Sequence, residues 1–329
     1  MGGVMISIQQ LRGIAVLLVV LFHMTTKLRD NGLWDYSFSI GMSGVDIFFT
    51  ISGFIMMLIS NRESKSTTFI LKRIIRIYPV YFIVAAIFII MFYSFPGISN
   101  SHNLDKKFSL LNTVTLFPLN DNIVMVGWTL SYELFFYIVF ALCMQFPVRK
   151  EISIPLLITV SFILGRFLNN DFLSNSVVFE FILGVFSYLI YSKNIFSGNV
   201  IFNLLVISIS IGWMCLSPFG VRFYDLGIPS FLIFNSYVTL LRNANGGLLS
   251  LIGDASYSIY LTHLLSISAI FLIEHKFFLI NNVAILYITM LISALIFGIA
   301  FHLSIEKPII NFLNSKFKQF NVKKIPEVS

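Results

Sequence analysis

The sequence predicts an all-α integral membrane protein, a bundle of about ten transmembrane helices with both termini in the cytoplasm. Composition predicts the membrane setting, because 57% of the 329 residues are hydrophobic and only 11% are charged. A soluble domain of average composition carries about 25% charged residues. This chain has too few charges to cover a water-exposed surface of its size, so much of that surface is expected to face lipid.

Ten apolar runs account for the expected helices. A helix needs about 20 mostly apolar residues to cross a hydrocarbon core of roughly 30 Å. In chain order the runs are 10–27, 41–60, 77–95, 128–146, 152–168, 177–192, 200–216, 226–241, 256–273 and 283–303. We therefore expect one membrane domain over residues 1–313, followed by a basic cytoplasmic tail, 314–329, that is attracted to anionic lipid.

The distribution of basic residues predicts the orientation. With the N-terminus inside, 15 of the 22 lysines and arginines lie on the cytoplasmic side, and the longest outside loop is 96–127. This bias follows the excess of positive charge that cytoplasmic loops carry. The net charge of +7 is thus explained by loops rather than by a nucleic-acid partner. The two cysteines, Cys143 and Cys215, lie in apolar runs without metal-ligand spacing, so neither a disulfide nor a metal site is expected.

The first run contains two ionisable residues, Arg12 and His23, eleven positions apart. Eleven residues are close to three helical turns, so both side chains project from one helix face, about 16 Å apart along the axis. Ionisable groups at membrane depth usually face the protein interior and indicate function. The alternative is an arginine and a histidine that each reach toward a membrane interface.

Asp46 and Ser52 lie in the second run among the small residues Gly41, Gly44 and Gly53. Small residues allow two helices to approach closely, which is enough to explain the glycines. Packing does not explain a carboxylate at this depth. We therefore place Asp46 and Ser52 at the substrate cleft.

Arg73 and Arg76 precede Pro79 at the expected cytoplasmic start of the third helix. One interpretation is positive-inside anchoring, with Pro79 in the first turn, where proline is tolerated. The other is an anion site, because guanidinium groups bind phosphate through paired hydrogen bonds.

Glu133 lies one to two turns inside the fourth helix, which begins near the interface residue Trp128. A buried carboxylate needs a partner, and His23 is expected at a similar depth. Tyr257, Tyr260 and His263 of the ninth run are expected to line the cleft, although hydroxyl groups also hold helices together. Glu180 and His302 are assigned no role.

Six segments together resemble the acyltransferase-3 family of bacterial membrane O-acyltransferases. The similarity covers nearly the whole chain, in order. The matching segments are Arg12 with His23, 44–54, Arg73 with Arg76 and Pro79, Trp128 with Leu130 and Glu133, 257–263, and Glu306-Lys307-Pro308.

The resemblance implies a protein of the bacterial cytoplasmic membrane that uses cytoplasmic acyl-CoA, usually acetyl-CoA, and a glycan acceptor such as an exopolysaccharide, an O-antigen or a lipid-linked sugar. His23 would act as general base or transient acyl carrier, with Glu133 orienting it. Arg12, Arg73 and Arg76 would bind the donor, and no metal is expected.

Two other classes of protein compete with this interpretation. A transporter of a lipid-linked sugar or small solute would explain buried charges, but broken helices and related halves are not evident. A structural or sensing protein leaves the shared face of Arg12 and His23 unexplained.

Overall fold

The computed structural model describes residues 2–63, 65–94, 109–116, 122–196, 198–277 and 282–322. Within these ranges the protein is helical and contains no strand, as the sequence predicts. The helices are α1 (Gly2–Asp30), α2 (Ser43–Ser60), α3 (Ser66–Ser94), α4 (Leu110–Thr115), α5 (Trp128–Cys143), α6 (Lys150–Phe167), α7 (Val178–Ser192), α8 (Val200–Leu216), α9 (Ile228–Leu240), α10 (Leu248–Asp254), α11 (Ser256–Phe277), α12 (Val283–Phe301) and α13 (Lys307–Val322).

Each of the ten predicted runs is occupied by a helix. Six helical stretches in the described ranges are long and apolar enough to cross a membrane: Gly3–Asp30, Ser39–Ser60, Ser66–Met91, Met125–Cys143, Ser256–Glu274 and Val283–Gln319. Helices α7 and α8 are apolar but shorter. The protein is thus a helical membrane protein, while ten crossings and cytoplasmic termini remain predictions.

Two local expectations need correction or extension. Helix α3 begins at Ser66, so Pro79 lies in its interior and not in its first turn. The proline cannot donate to the carbonyl of Ile75, which interrupts the hydrogen-bond ladder at that turn. At the C-terminus, α13 runs through the boundary predicted between residues 313 and 314. Most of the predicted loop 96–127, with Lys106 and Lys107, and the tail end with Lys323 and Lys324 lie outside the described residues.

The glycines of α2 let neighbouring helices approach to backbone contact. A Cβ added to Gly53 would lie 2.4 Å from the carbonyl oxygen of Phe181, and one added to Gly184 would lie 2.4 Å from that of Thr50. Real Cβ atoms do not approach so closely, so α2 and α7 cross where both carry glycine. The small residues of α2 therefore serve packing, and they set the depth at which its polar side chains meet their neighbours.

Two helices contain a wide π turn, Phe223–Gly227 before α9 and His302–Glu306 between α12 and α13. Such turns are rare and often occur at functional sites, because they shift the direction of side chains by one position. Here each turn borders a cluster of buried charged groups. The buried Glu306 lies within the turn His302–Glu306, and Arg222 directly precedes the turn Phe223–Gly227.

Candidate active site

A cavity of about 140 Å³ lies between α1, α2, α3, α5 and α11. Apolar side chains of α2, among them Phe48 and Ile55, form much of its wall. Seven of the ten predicted site residues line it: Arg12, Ser52, Arg73, Arg76, Glu133, Tyr257 and Tyr260.

Three arginines face this cavity, Arg12 from α1 and Arg73 and Arg76 from α3. The charges of Arg12 and Arg76 are close enough to repel each other. The Nε of Arg73 is buried and has no hydrogen-bond partner among the described residues. A buried donor is normally paired. An anion bound in the cavity would supply a partner for Arg73.

Glu306 is the ion-pair partner of Arg76. Its carboxylate is fully buried and lies 3.8 Å from a guanidinium nitrogen of Arg76. Ser258 Oγ and His302 Nδ1 donate to Glu306 Oε2 at 2.7 and 2.8 Å. His302, which sequence reasoning left without a role, therefore belongs to the group that fixes one cavity arginine. Its position four residues before Glu306, on the same helix face, is the signal that could have linked the two.

Glu133 lies in the cavity opposite Arg12. It accepts hydrogen bonds from the hydroxyl groups of Tyr137, at 2.6 Å, and Ser52, at 3.1 Å. Its negative charge also interacts favourably with Arg12. Tyr137 was missed in the sequence, although it follows Glu133 by one helical turn and so shares its face. Glu133 thus belongs to the cationic cavity.

The expected contact between Glu133 and His23 is not found among the described residues. His23 does not line the cavity, and its ring packs instead against Phe22 and His263, with centroid distances of 5.0 and 5.1 Å. The reason is position along α1: Glu133 meets the helix near Arg12, about three turns before His23. Counting residues from a helix end estimates depth too coarsely to choose between these neighbours.

Tyr260 separates the cavity from the histidine pair. Its hydroxyl group lies 3.0 Å from Thr129 Oγ1, and its ring centroid is 5.9 Å from that of His263. His263, predicted to line the cleft, is fully buried and does not line this cavity. Tyr257 lines the cavity and donates to the Ile77 carbonyl at 2.8 Å, two residues before the interior proline of α3.

Asp46 also lies outside the cavity lining, contrary to expectation. Its buried carboxylate is paired with Arg222, which comes from the turn before α9. Glu180 of α7 is the third member of this group: it is fully buried beside Asp46, and neither of its oxygens has a hydrogen-bond partner in the described part of the chain. Arg222 is not among the site residues predicted from the sequence, because the sequence does not show which loop folds back onto α2.

The described residues contain no group of three or more His, Cys, Asp or Glu side chains placed to hold a metal ion. Their fold and cavity define a helical membrane protein with an internal cavity that combines three arginines with apolar side chains. The chain matches the profile of the family described as "Acyltransferase domain" over residues 5–303, and it belongs to that family. It is therefore a membrane acyltransferase.

Two relatives illustrate this membership. The chain is 28% identical to the exopolysaccharide production protein ExoZ of Rhizobium meliloti (strain 1021) over 311 residues, which cover 88% of this chain and 94% of the relative. It is 32% identical to the putative acetyltransferase ORF330 of Acidianus two-tailed virus over 164 residues, 49% of this chain and 48% of the relative. No solved structure matches the chain significantly.

Proposed function

We propose that this chain transfers an acyl group, in the first instance acetyl, from acyl-CoA to a hydroxyl group of a cell-surface or lipid-linked glycan. One observation carries the proposal: a single cavity joins three arginines to apolar walls. CoA has the matching character, with anionic phosphates at one end and a flexible pantetheine arm with its thioester at the other. The names of the two relatives, one for exopolysaccharide production and one for an acetyltransferase, support the acceptor and the acyl group.

Arg73 and Arg76 are proposed to bind the phosphates of the donor. Both lie on α3 one turn apart, and Arg76 is held by Glu306, so little side-chain freedom is lost on binding. The Nε of Arg73 has no hydrogen-bond partner among the described residues, so it can donate to a phosphate oxygen. Arg12 lines the same cavity, and we place it along the path of the donor's pantetheine arm toward His23.

The enzyme is proposed to lie in the bacterial cytoplasmic membrane with ten crossings and both ends inside. Donor would then enter from the cytoplasmic side, where α3 begins, and the acceptor from the other side. His23 lies about 16 Å along α1 from Arg12, toward the acceptor side. Helices α1 and α11 contribute to both regions, and Tyr260 lies between them.

His23 is proposed to act on the acceptor, since the ring nitrogen of a neutral imidazole that carries no hydrogen can accept a proton. As general base it removes the hydroxyl proton while the hydroxyl oxygen bonds to the thioester carbonyl carbon. The carbon–sulfur bond then breaks, and the proton passes to sulfur, leaving a glycan ester and free CoA thiol. As transient carrier the same imidazole would first take the acyl group itself. Trapping an acylated His23 distinguishes the two routes.

The test uses purified protein in lipid nanodiscs with labelled acetyl-CoA and an oligosaccharide acceptor. We expect free CoA thiol to appear together with acetylated glycan, and both to be lost in His23→Ala while acetyl-CoA still binds. The same assay is then repeated with longer acyl-CoA donors and with polysaccharide from bacteria that carry ExoZ-type proteins. If acyl-CoA neither binds nor releases CoA with any of these acceptors, the proposed donor is wrong.

A further inference from the structure

His263 is held in one tautomer by its own helix. Its Nδ1 lies 2.7 Å from the Tyr260 carbonyl oxygen and 3.2 Å from that of Ile259. Carbonyl oxygens only accept hydrogen bonds, so Nδ1 must carry the hydrogen. In a neutral imidazole the other nitrogen, Nε2, is then an acceptor with a free lone pair.

That lone pair has no partner among the described residues. His263 is fully buried, and its Nε2 is a buried atom without a hydrogen bond. Burying an unpaired polar atom is unfavourable, so such an atom in a functional protein calls for an explanation. A simple core histidine does not supply one, because a residue selected only for packing at this position would not need a second nitrogen.

The nearest ring is His23 of α1. The two centroids are 5.1 Å apart and the ring planes are inclined by 44°. Two imidazoles joined by one N–H···N hydrogen bond have centroids about 5 Å apart, from roughly 2.9 Å for the bond and about 1.1 Å from each centroid to its nitrogen. The separation of the two centroids therefore allows such a bond.

We propose that His263 is a positioning residue whose Nε2 accepts the N–H of His23 and so fixes the tautomer of the reacting imidazole. The other nitrogen of His23 is then the free base or nucleophile. This inference rests on the proposed role of His23 in acyl transfer. It assigns to a second histidine the orienting role that a carboxylate has in a hydrolase triad, and Glu133 lies with the donor arginines instead.

The distinction between an acid and a histidine partner has a chemical consequence. A carboxylate stabilises the positive charge that forms when the base takes a proton, whereas a neutral imidazole only orders the ring. A neutral partner therefore keeps His23 a weaker base inside the bundle. Such an arrangement favours release of the proton to the departing thiolate once the ester has formed.

Three variants separate this role from packing. His263→Leu removes the acceptor, and His263→Gln can place an amide oxygen near the position of Nε2. Ser266→Ala, on the same helix and also buried, is the matched control. We expect His263→Leu to lower kcat roughly 10²-fold with the KM for acyl-CoA unchanged. His263→Gln should retain several-fold more activity, and Ser266→Ala should behave as wild type.

A measurement that needs no turnover completes the test. In ¹⁵N-histidine-labelled protein in bilayers, NMR should show His263 as the Nδ1–H tautomer, and His263→Leu should change the tautomer of His23. Equal loss in the Leu and Gln variants, or an unchanged His23 spectrum, overturns the proposal. If no variant or wild-type protein transfers acyl groups but the His23 spectrum still responds, the pairing stands and the proposed function fails.

Discussion

Arg222 and Asp46 form a bidentate ion pair between two parts of the helical bundle. Arg222 Nε lies 3.0 Å from Oδ1 and Nη2 lies 2.8 Å from Oδ2, and Nη2 also donates to the Met42 carbonyl at 3.2 Å. The Asp46 side chain is completely buried. The pair joins the turn before α9 to the first turn of α2, the helix that forms one wall of the cavity.

Replacing Arg222 by leucine should destabilise the protein strongly. It leaves the Asp46 carboxylate buried without a counter-ion, a loss on the order of 3–5 kcal/mol. We expect a clear fall in the thermal midpoint in detergent. The double variant Arg222→Leu/Asp46→Leu should recover much of that fall, because it removes both charges. A double variant no better than the single one would show that the pair does not carry the effect.

Glu180→Gln tests the third member of the same cluster. Glu180 lies beside Asp46 with both of its oxygens buried and unpaired in the described structure. A glutamine keeps the shape, removes one buried acid and offers an amide N–H to Asp46. The thermal midpoint should therefore stay equal or rise. A fall as large as that of Arg222→Leu would mean that the charge of Glu180 is needed for folding.

The sequence predicted the elements of this fold well and its lateral contacts less well. Apolar runs located ten of the helices, because membrane helices are long and uniformly apolar. They did not locate α13, which is rich in polar residues. The shared face of Arg73 and Arg76 followed from one helical turn, and both do line the cavity. Local periodicity was sufficient for these inferences, since each concerns one helix alone.

Contacts between helices could not be derived in the same way. Glu133 was expected beside His23 and lies in the cavity with Arg12. Asp46 was expected at the substrate cleft and pairs with Arg222. Which helix faces which depends on close crossings such as that of Gly53 and Gly184. These crossings set rotations and offsets that hydropathy does not record, so partner residues need the folded structure.

Arg73 and Arg76 should determine the affinity for the donor. Replacing both by glutamine removes two phosphate partners, and we expect a KM for acyl-CoA at least ten-fold higher, with a much smaller change in kcat. Lys72→Gln is the matched control, because Lys72 is a cation of the same helix that pairs with Glu63 and does not line the cavity. If the double variant and the wild type have equal KM values, the two arginines serve as positive charges that fix the membrane topology and do not bind the donor.

The orientation of the chain can be tested by cysteine labelling. In a background without Cys143 and Cys215, a cysteine at Leu111 should react with an impermeant maleimide in intact cells, since this position in α4 is exposed and belongs to the predicted outside loop. A cysteine at Lys65 should react only after permeabilisation. The opposite pattern would reverse the proposed sides of donor and acceptor.

Glu133 and His263 should contribute to turnover independently. Glu133 contacts Ser52 and Tyr137 in the donor cavity, and His263 packs on His23 beyond Tyr260. Glu133→Gln removes the charge that balances Arg12 but keeps its shape, so we expect a loss of turnover smaller than the 10²–10⁴-fold typical for removing an acid–base group, as in His23→Ala.

Groups without shared partners have effects on the free energy of activation that add, so their rate factors multiply. The double variant Glu133→Gln/His263→Leu should therefore lose activity by the product of the two single factors. A carboxylate that oriented His23 would behave differently, because members of one catalytic unit are strongly non-additive and the second substitution would cost little. Steady-state kcat for the four proteins, with acyl-CoA saturating, decides the matter. If the double variant is no slower than the slower single variant, Glu133 acts together with His23 and the proposed independence is wrong.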